Sequence, residues 1–145
     1  MFALRNALSF AGAGILVLTA VLALAKVSAS QTKVQRYGMV IGIKPEKIEY
    51  YKKLHKATWP GVLKMIQACH IRNYSIYLRE IEPGKFYLFS YFEYTGKNYE
   101  ADMLKMAADA TTQEWWKECN PCQNPILTAS QGEWWSTMEE VFHTD

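Results

Sequence analysis

Tyr51 and His55 lie four residues apart in the run Tyr51-Lys52-Lys53-Leu54-His55-Lys56-Ala57-Thr58-Trp59-Pro60. On a helix that spacing puts a phenol and an imidazole on one face. An imidazole gives and takes a proton near neutral pH, and a hydroxyl and an indole beside it suit the handling of a small polar molecule. An isolated pair of this kind is more often an ordinary stretch of amphipathic helix. Lys52, Lys53 and Lys56 read as the solvated face of that helix.

Two other places hold residues of related chemistry. Asn73-Tyr74-Ser75-Ile76-Tyr77-Leu78 brings a phenol into a strand pattern, and it formally spells a glycosylation acceptor, which inside a strand is read as accidental. Trp115 and Trp116 are adjacent. On a helix adjacent indoles diverge by about 100°, so they seldom both reach a core, which leaves one for a pocket. Cys119 and Cys122 form a close pair and Cys69 stands alone. After export the pair is the evident candidate for a disulfide. A redox motif should open a helix, whereas Pro121 and Pro125 bracket an irregular segment. No second cysteine pair or closely spaced histidines complete a zinc ligand set, so no metal site is expected.

The elements that position these residues follow from periodicity. Residues 36–43 are rich in strand-formers, Lys44-Pro45-Glu46 turns the chain, and a helix carries Ile48, Tyr51, Leu54 and His55. Thr58-Trp59-Pro60 bends or restarts it, since proline donates no backbone bond to the preceding turn. Residues 73–81 and 85–94 alternate about Glu82-Pro83-Gly84 and form a hairpin. A helix is expected over 97–108, then a short one through Glu114-Trp115-Trp116-Lys117 capped by a threonine, and a last strand over 134–143. That order, βαββαβ, is the α+β ferredoxin-like arrangement, with helices on one face of a sheet. The other face would carry Tyr37, Tyr87, Tyr91 or their alternating neighbours, so two copies are expected to pack sheet to sheet. Trp134 and Trp135 should point to opposite sides of the last strand, one toward the core and one toward the partner or a pocket rim.

The chain has 145 residues, and its start has a different character. Arg5 precedes a long apolar run from Ala7 to Ala25, followed by Lys26-Val27-Ser28-Ala29-Ser30. This is the layout of a secretory signal, with cleavage after Ala29 or Ser30 preferred over retention as an anchor. Residues 31–145 then form one exported domain, periplasmic or extracellular, that touches a membrane only if residues 1–30 are retained. Without Arg5 and Lys26 the chain holds 14 basic and 14 acidic side chains with no long run of one sign. Nucleic-acid binding needs clustered cations and is set aside.

Taken in register, Tyr51-x3-His55-x3-Trp59-Pro60, Asn73-Tyr74-Ser75-Ile76-Tyr77-Leu78, Trp115-Trp116 and Glu139-Glu140-Val141-Phe142 resemble the L-rhamnose mutarotase family over residues 36–145. The resemblance implies a dimeric alpha/beta barrel of two ferredoxin-like subunits without metal or organic cofactor. It implies an isomerase that interconverts the alpha and beta anomers of L-rhamnose. It also implies that His55 is the proton donor and that Tyr51, Tyr74, Trp115 and Trp116 hold the monosaccharide. The exported start departs from the cytosolic setting usual for that family, which leaves L-fucose or another deoxy sugar open as substrate. The rivals are a monooxygenase or haem-related enzyme on the same scaffold, and a sugar-binding module without catalysis.

Overall fold

The computed structural model describes residues 33–144, so the expected export segment lies outside the described residues. Strand β1 (Gln35–Ile43) and strand β3 (Lys85–Tyr94) pair antiparallel over their length, from Gln35 opposite Tyr94 to Ile43 opposite Phe86. Strand β2 (Ile71–Glu82) flanks β3 on the far side. The free edge of β1 takes two short strands, β4 (Gln123–Asn124) and β5 (Ser136–Met138). The order β2-β3-β1-β4 with every ladder antiparallel is the expected ferredoxin-like sheet.

Strand alternation divides the sheet into two faces. Along β3, Leu88, Ser90, Phe92 and Tyr94 are buried, while Tyr87, Phe89 and Tyr91 point the other way. Helices α1 (Ile48–Lys56), α2 (Pro60–Ala68), α3 (Tyr99–Ala108) and α4 (Ala110–Cys119) lie between and after the long strands. Ile41, Ile43 and Leu88 of the sheet meet Tyr51, Val62, Trp115 and Cys119 in one core. Removing each of these aliphatic side chains from water contributes about 1.5–3 kcal/mol. Pro60 restarts the helical path rather than bending it, because Trp59 is extended and Pro60 opens α2, where its missing N–H costs nothing.

Several expectations need correction. The cap of α4 is Asp109 rather than a threonine: its carboxylate accepts from the backbone N–H and the hydroxyl of Thr112, at 2.8 and 2.9 Å. A carboxylate there also suits the positive end of the helix. The last strand is confined to Ser136–Met138, and the charged pair Glu139-Glu140, of low strand propensity, lies beyond it. Trp134 and Trp135 therefore precede the strand instead of alternating along it. Tyr37 faces the helices, stacked on Phe92 and Tyr99 at 5.0 and 4.4 Å, while Tyr87 and Tyr91 lie on the uncovered face. Cys69, Cys119 and Cys122 are all free and buried, so the close pair is not a disulfide. Cys119 ends α4 and Cys122 ends the 3-10 turn after it, so the pair closes a helix where a redox motif would open one.

Candidate active site

A cavity of about 810 Å³ opens between the helices and the inner face of the sheet. Helix α1 contributes Tyr51 and His55, β2 contributes Tyr74, and α4 contributes Trp115 and Trp116. All five residues singled out in the sequence thus line one space. Ile43, Val62, Ile76 and Leu88 supply apolar wall between them.

His55 is oriented by its own helix. Its Nδ1 lies 3.0 Å from the carbonyl oxygen of Tyr51, one turn back. A carbonyl only accepts, so Nδ1 carries the hydrogen and the lone pair of the neutral ring sits on Nε2. The imidazole stacks on the Tyr51 ring at 4.1 Å and 29°, and meets the edge of Trp115 at 5.3 Å and 68°. Trp59 packs in turn on Trp115 at 5.4 Å, so the bend between α1 and α2 supports the same cluster. Burial lowers the His55 pKa below the usual 6.5, opposed in part by the bond to the Tyr51 carbonyl. The neutral ring, a proton acceptor at Nε2, is the form that prevails at neutral pH.

Tyr74 reaches the cavity because β2 is irregular. Arg72 faces Glu93 and Ser75 faces Tyr91, so Asn73 and Tyr74 together oppose the single residue Phe92. The extra residue is a β-bulge, and it resets which side chains face inward. Asn73 takes the left-handed conformation at φ 48, which asparagine tolerates better than most residues, and donates from Nδ2 to Glu93 at 2.6 Å. Tyr74 then sits edge-on to Phe92 at 5.5 Å. The residue keeps 40% of its surface exposed, but its hydroxyl end is enclosed, and burial pushes its pKa up to about 12.

Gln123 is a site residue that sequence reasoning missed. It is 4% exposed, donates from Nε2 to the Tyr51 hydroxyl at 3.4 Å, and accepts at Oε1 from the Trp134 indole at 2.8 Å. Its two-residue strand has no periodicity to betray it. Trp134 is the rim indole, 41% exposed, and Trp135 packs against the core while also lining the cavity.

The charge content of the wall limits what it can bind. Among the described residues no carboxylate lines the cavity, and Lys52 is the one formally charged side chain there. Burial raises the pKa of Tyr51 and of Cys119, the latter to about 12, so both stay protonated at neutral pH. His55, its pKa lowered by burial, is left in the cavity wall as a neutral ring able to accept a proton. Indole faces, phenol hydroxyls and one neutral imidazole suit an uncharged molecule with hydroxyls on one side and C–H groups on the other.

Comparison with known proteins bears on that chemistry. Residues 36–144 match the family model described as L-rhamnose mutarotase. The chain is 32% identical over 112 residues to the L-rhamnose mutarotase of Oceanobacillus iheyensis, covering 77% of this chain and 99% of the relative. It is 32% identical over 115 residues to the L-rhamnose mutarotase of Listeria monocytogenes serotype 4b, covering 75% and 97%. A crystal structure of an L-rhamnose mutarotase from Formosa agariphila superposes with a TM-score of 0.57 at 18% identity, over 77% of this chain and 99% of that one, and so shares its fold.

Proposed function

The chain belongs to the L-rhamnose mutarotase family, and from that premise we infer that its cavity opens and recloses the ring of L-rhamnose, with His55 moving the proton. Its activity is that of an isomerase interconverting the alpha and beta anomers of the sugar. The observation that carries the role of His55 is its ring: a tautomer fixed by the Tyr51 carbonyl, set in the cavity wall with Nε2 left as a proton acceptor.

In this reading His55 Nε2 takes the proton of the anomeric hydroxyl, and the imidazolium so formed gives it to the departing ring oxygen. The bond between the anomeric carbon and the ring oxygen breaks, leaving an open-chain aldehyde. After rotation about the adjoining carbon–carbon bond, neutral His55 takes the proton of the freed hydroxyl as it adds to the other face of the carbonyl, and the imidazolium returns the proton to the new anomeric oxygen. The donor role implied by the resemblance is therefore that of the conjugate acid, formed once the neutral ring has acted as a base. General acid–base help of this kind contributes about 10²- to 10⁴-fold. Trp115 and Trp116 offer indole surface to the C–H face of the deoxy sugar, and Tyr51 and Tyr74 offer hydroxyls to its polar face.

The reading extends to assembly and setting. Two copies pack through their uncovered sheet faces; Tyr77 and Ile81, 63% and 57% exposed, support this, as does a groove between Val40, Tyr87, Phe89 and Leu127 on that face. Sedimentation should return twice the monomer mass, and Tyr77→Glu should shift it toward the monomer. Residues 1–30 export the domain, which would then meet sugars released outside the cell membrane. The activity itself is tested by saturation-transfer NMR on L-rhamnose, with L-fucose and D-glucose as comparisons. Acceleration of L-rhamnose exchange over buffer is expected, and its absence would refute the activity.

A further inference from the structure

The Tyr51 hydroxyl is shared between the site and a short polar chain behind it, and the direction of that chain is chemically determined. An indole N–H only donates. It lies 2.8 Å from Gln123, so the amide atom facing Trp134 has to be the oxygen. The nitrogen, which only donates, then faces the Tyr51 hydroxyl at 3.4 Å. A phenol oxygen that accepts this bond keeps its own proton for another acceptor, and the space in front of it is the cavity.

The supports of this chain are themselves anchored. The Glu133 carboxylate accepts from the backbone N–H of Ser130 and of Thr137, each at 2.9 Å, and so clamps both sides of the segment that presents Trp134. Gln123 lies opposite Ile43 on the edge of β1. Next to it β4 approaches so closely that a Cβ on Gly42 would sit 2.9 Å from the Asn124 carbonyl oxygen. Gln123 is 4% exposed, so its amide has little access to water as a substitute partner.

We propose that Trp134 and Gln123 fix Tyr51 as a hydrogen-bond donor into the cavity, which makes Gln123 a positioning residue for the sugar. This rests on the mutarotase reading. The arrangement sets a donor, the Tyr51 hydroxyl, next to an acceptor, His55 Nε2, on rings stacked at 4.1 Å. A hemiacetal has the matching pair on one carbon: an anomeric hydroxyl that gives a proton and a ring oxygen that accepts a hydrogen bond.

Polarity can be separated from shape by two substitutions. Gln123→Glu preserves the shape, but a carboxylate only accepts, so it draws the Tyr51 proton away from the cavity. Gln123→Met preserves the volume and leaves the Tyr51 proton free. L-rhamnose exchange should fall at least tenfold in Gln123→Glu and less than fivefold in Gln123→Met. A purely structural role would make the two equally harmful, and that result would overturn the proposal. The second readout needs no activity. The side-chain amide signals of Gln123 should shift in Tyr51→Phe, and the Trp134 indole N–H signal should shift in Gln123→Met. Stationary signals would overturn the proposal even if Gln123→Glu failed to fold. Signals that shift in these variants, together with a wild-type protein that accelerates no exchange, would refute the mutarotase reading while supporting the donor direction of Tyr51.

Discussion

His55 and His70 each have Nδ1 engaged by an oxygen, and the two oxygens differ in kind. His55 bonds to the neutral carbonyl of Tyr51, inside a largely apolar cavity with no carboxylate in its wall among the described residues. His70 bonds to the carboxylate of Asp102 at 2.9 Å, with half of its side chain in water. Asp102 also accepts from Tyr94 at 2.6 Å, and Tyr94 accepts from the backbone of Asn98 at the start of α3. The Tyr94 hydroxyl, and then His70, hold the Asp102 carboxyl below the usual range. The His70 carbonyl accepts from the N–H and the hydroxyl of Thr95, at 3.0 and 3.1 Å. His70 thus joins the start of β2 to the end of β3 and to α3, and it does not line the cavity. A charged partner and open solvent suit a histidine to act as a tie, whereas a neutral partner and a largely apolar, ligand-sized space suit one to exchange a proton.

The comparison can be broken by substituting its members. His55→Ala should lower L-rhamnose exchange at least about 10²-fold, the low end of general acid–base catalysis, while the thermal midpoint changes little. Loss of stability without loss of rate would exchange the roles assigned to the two histidines. Trp115→Ala should act on both properties, since Trp115 is 5% exposed and touches His55 and Trp59. Denaturant titration should show a loss of about 3–5 kcal/mol. Asp109→Ala removes the cap of α4 and should cost about 0.5–2 kcal/mol by the same measurement. His70→Asn should have the smallest effect: asparagine tolerates the left-handed backbone found there, at φ 58, and a half-exposed contact with a carboxylate is worth about 1 kcal/mol or less. Its exchange rate should stay within about twofold of the parent, checked in the same NMR assay.

Much of the site could be read from sequence because its residues lie on elements with strong periodicity. The i, i+4 spacing of Tyr51 and His55 survives folding directly, and the hairpin of β2 and β3 follows from alternation about Pro83-Gly84. What stayed hidden depends on tertiary pairing. The bulge at Asn73 and Tyr74 exists only relative to Phe92 on the neighbouring strand. Strand β4 has two residues and is held by the edge of β1, with the Lys44 N–H donating to the Cys122 carbonyl at 2.9 Å. Gln123 becomes a site residue only through that pairing. The cap of α4 went to Asp109 because a carboxylate one residue before the helix outcompetes the hydroxyls inside it.

The central claim is that neutral His55 accepts the anomeric proton. If the neutral ring is the active form, exchange should be flat near neutral pH and decline as pH falls through the depressed His55 pKa, below 6.5. Exchange rate and His55 ring-proton shift can be followed by NMR in the same samples. The two curves should share a midpoint, and this acid limb should vanish in His55→Ala. A His55 that titrates while the rate stays constant, or an alanine variant that retains the parent's rate and acid limb, would contradict it.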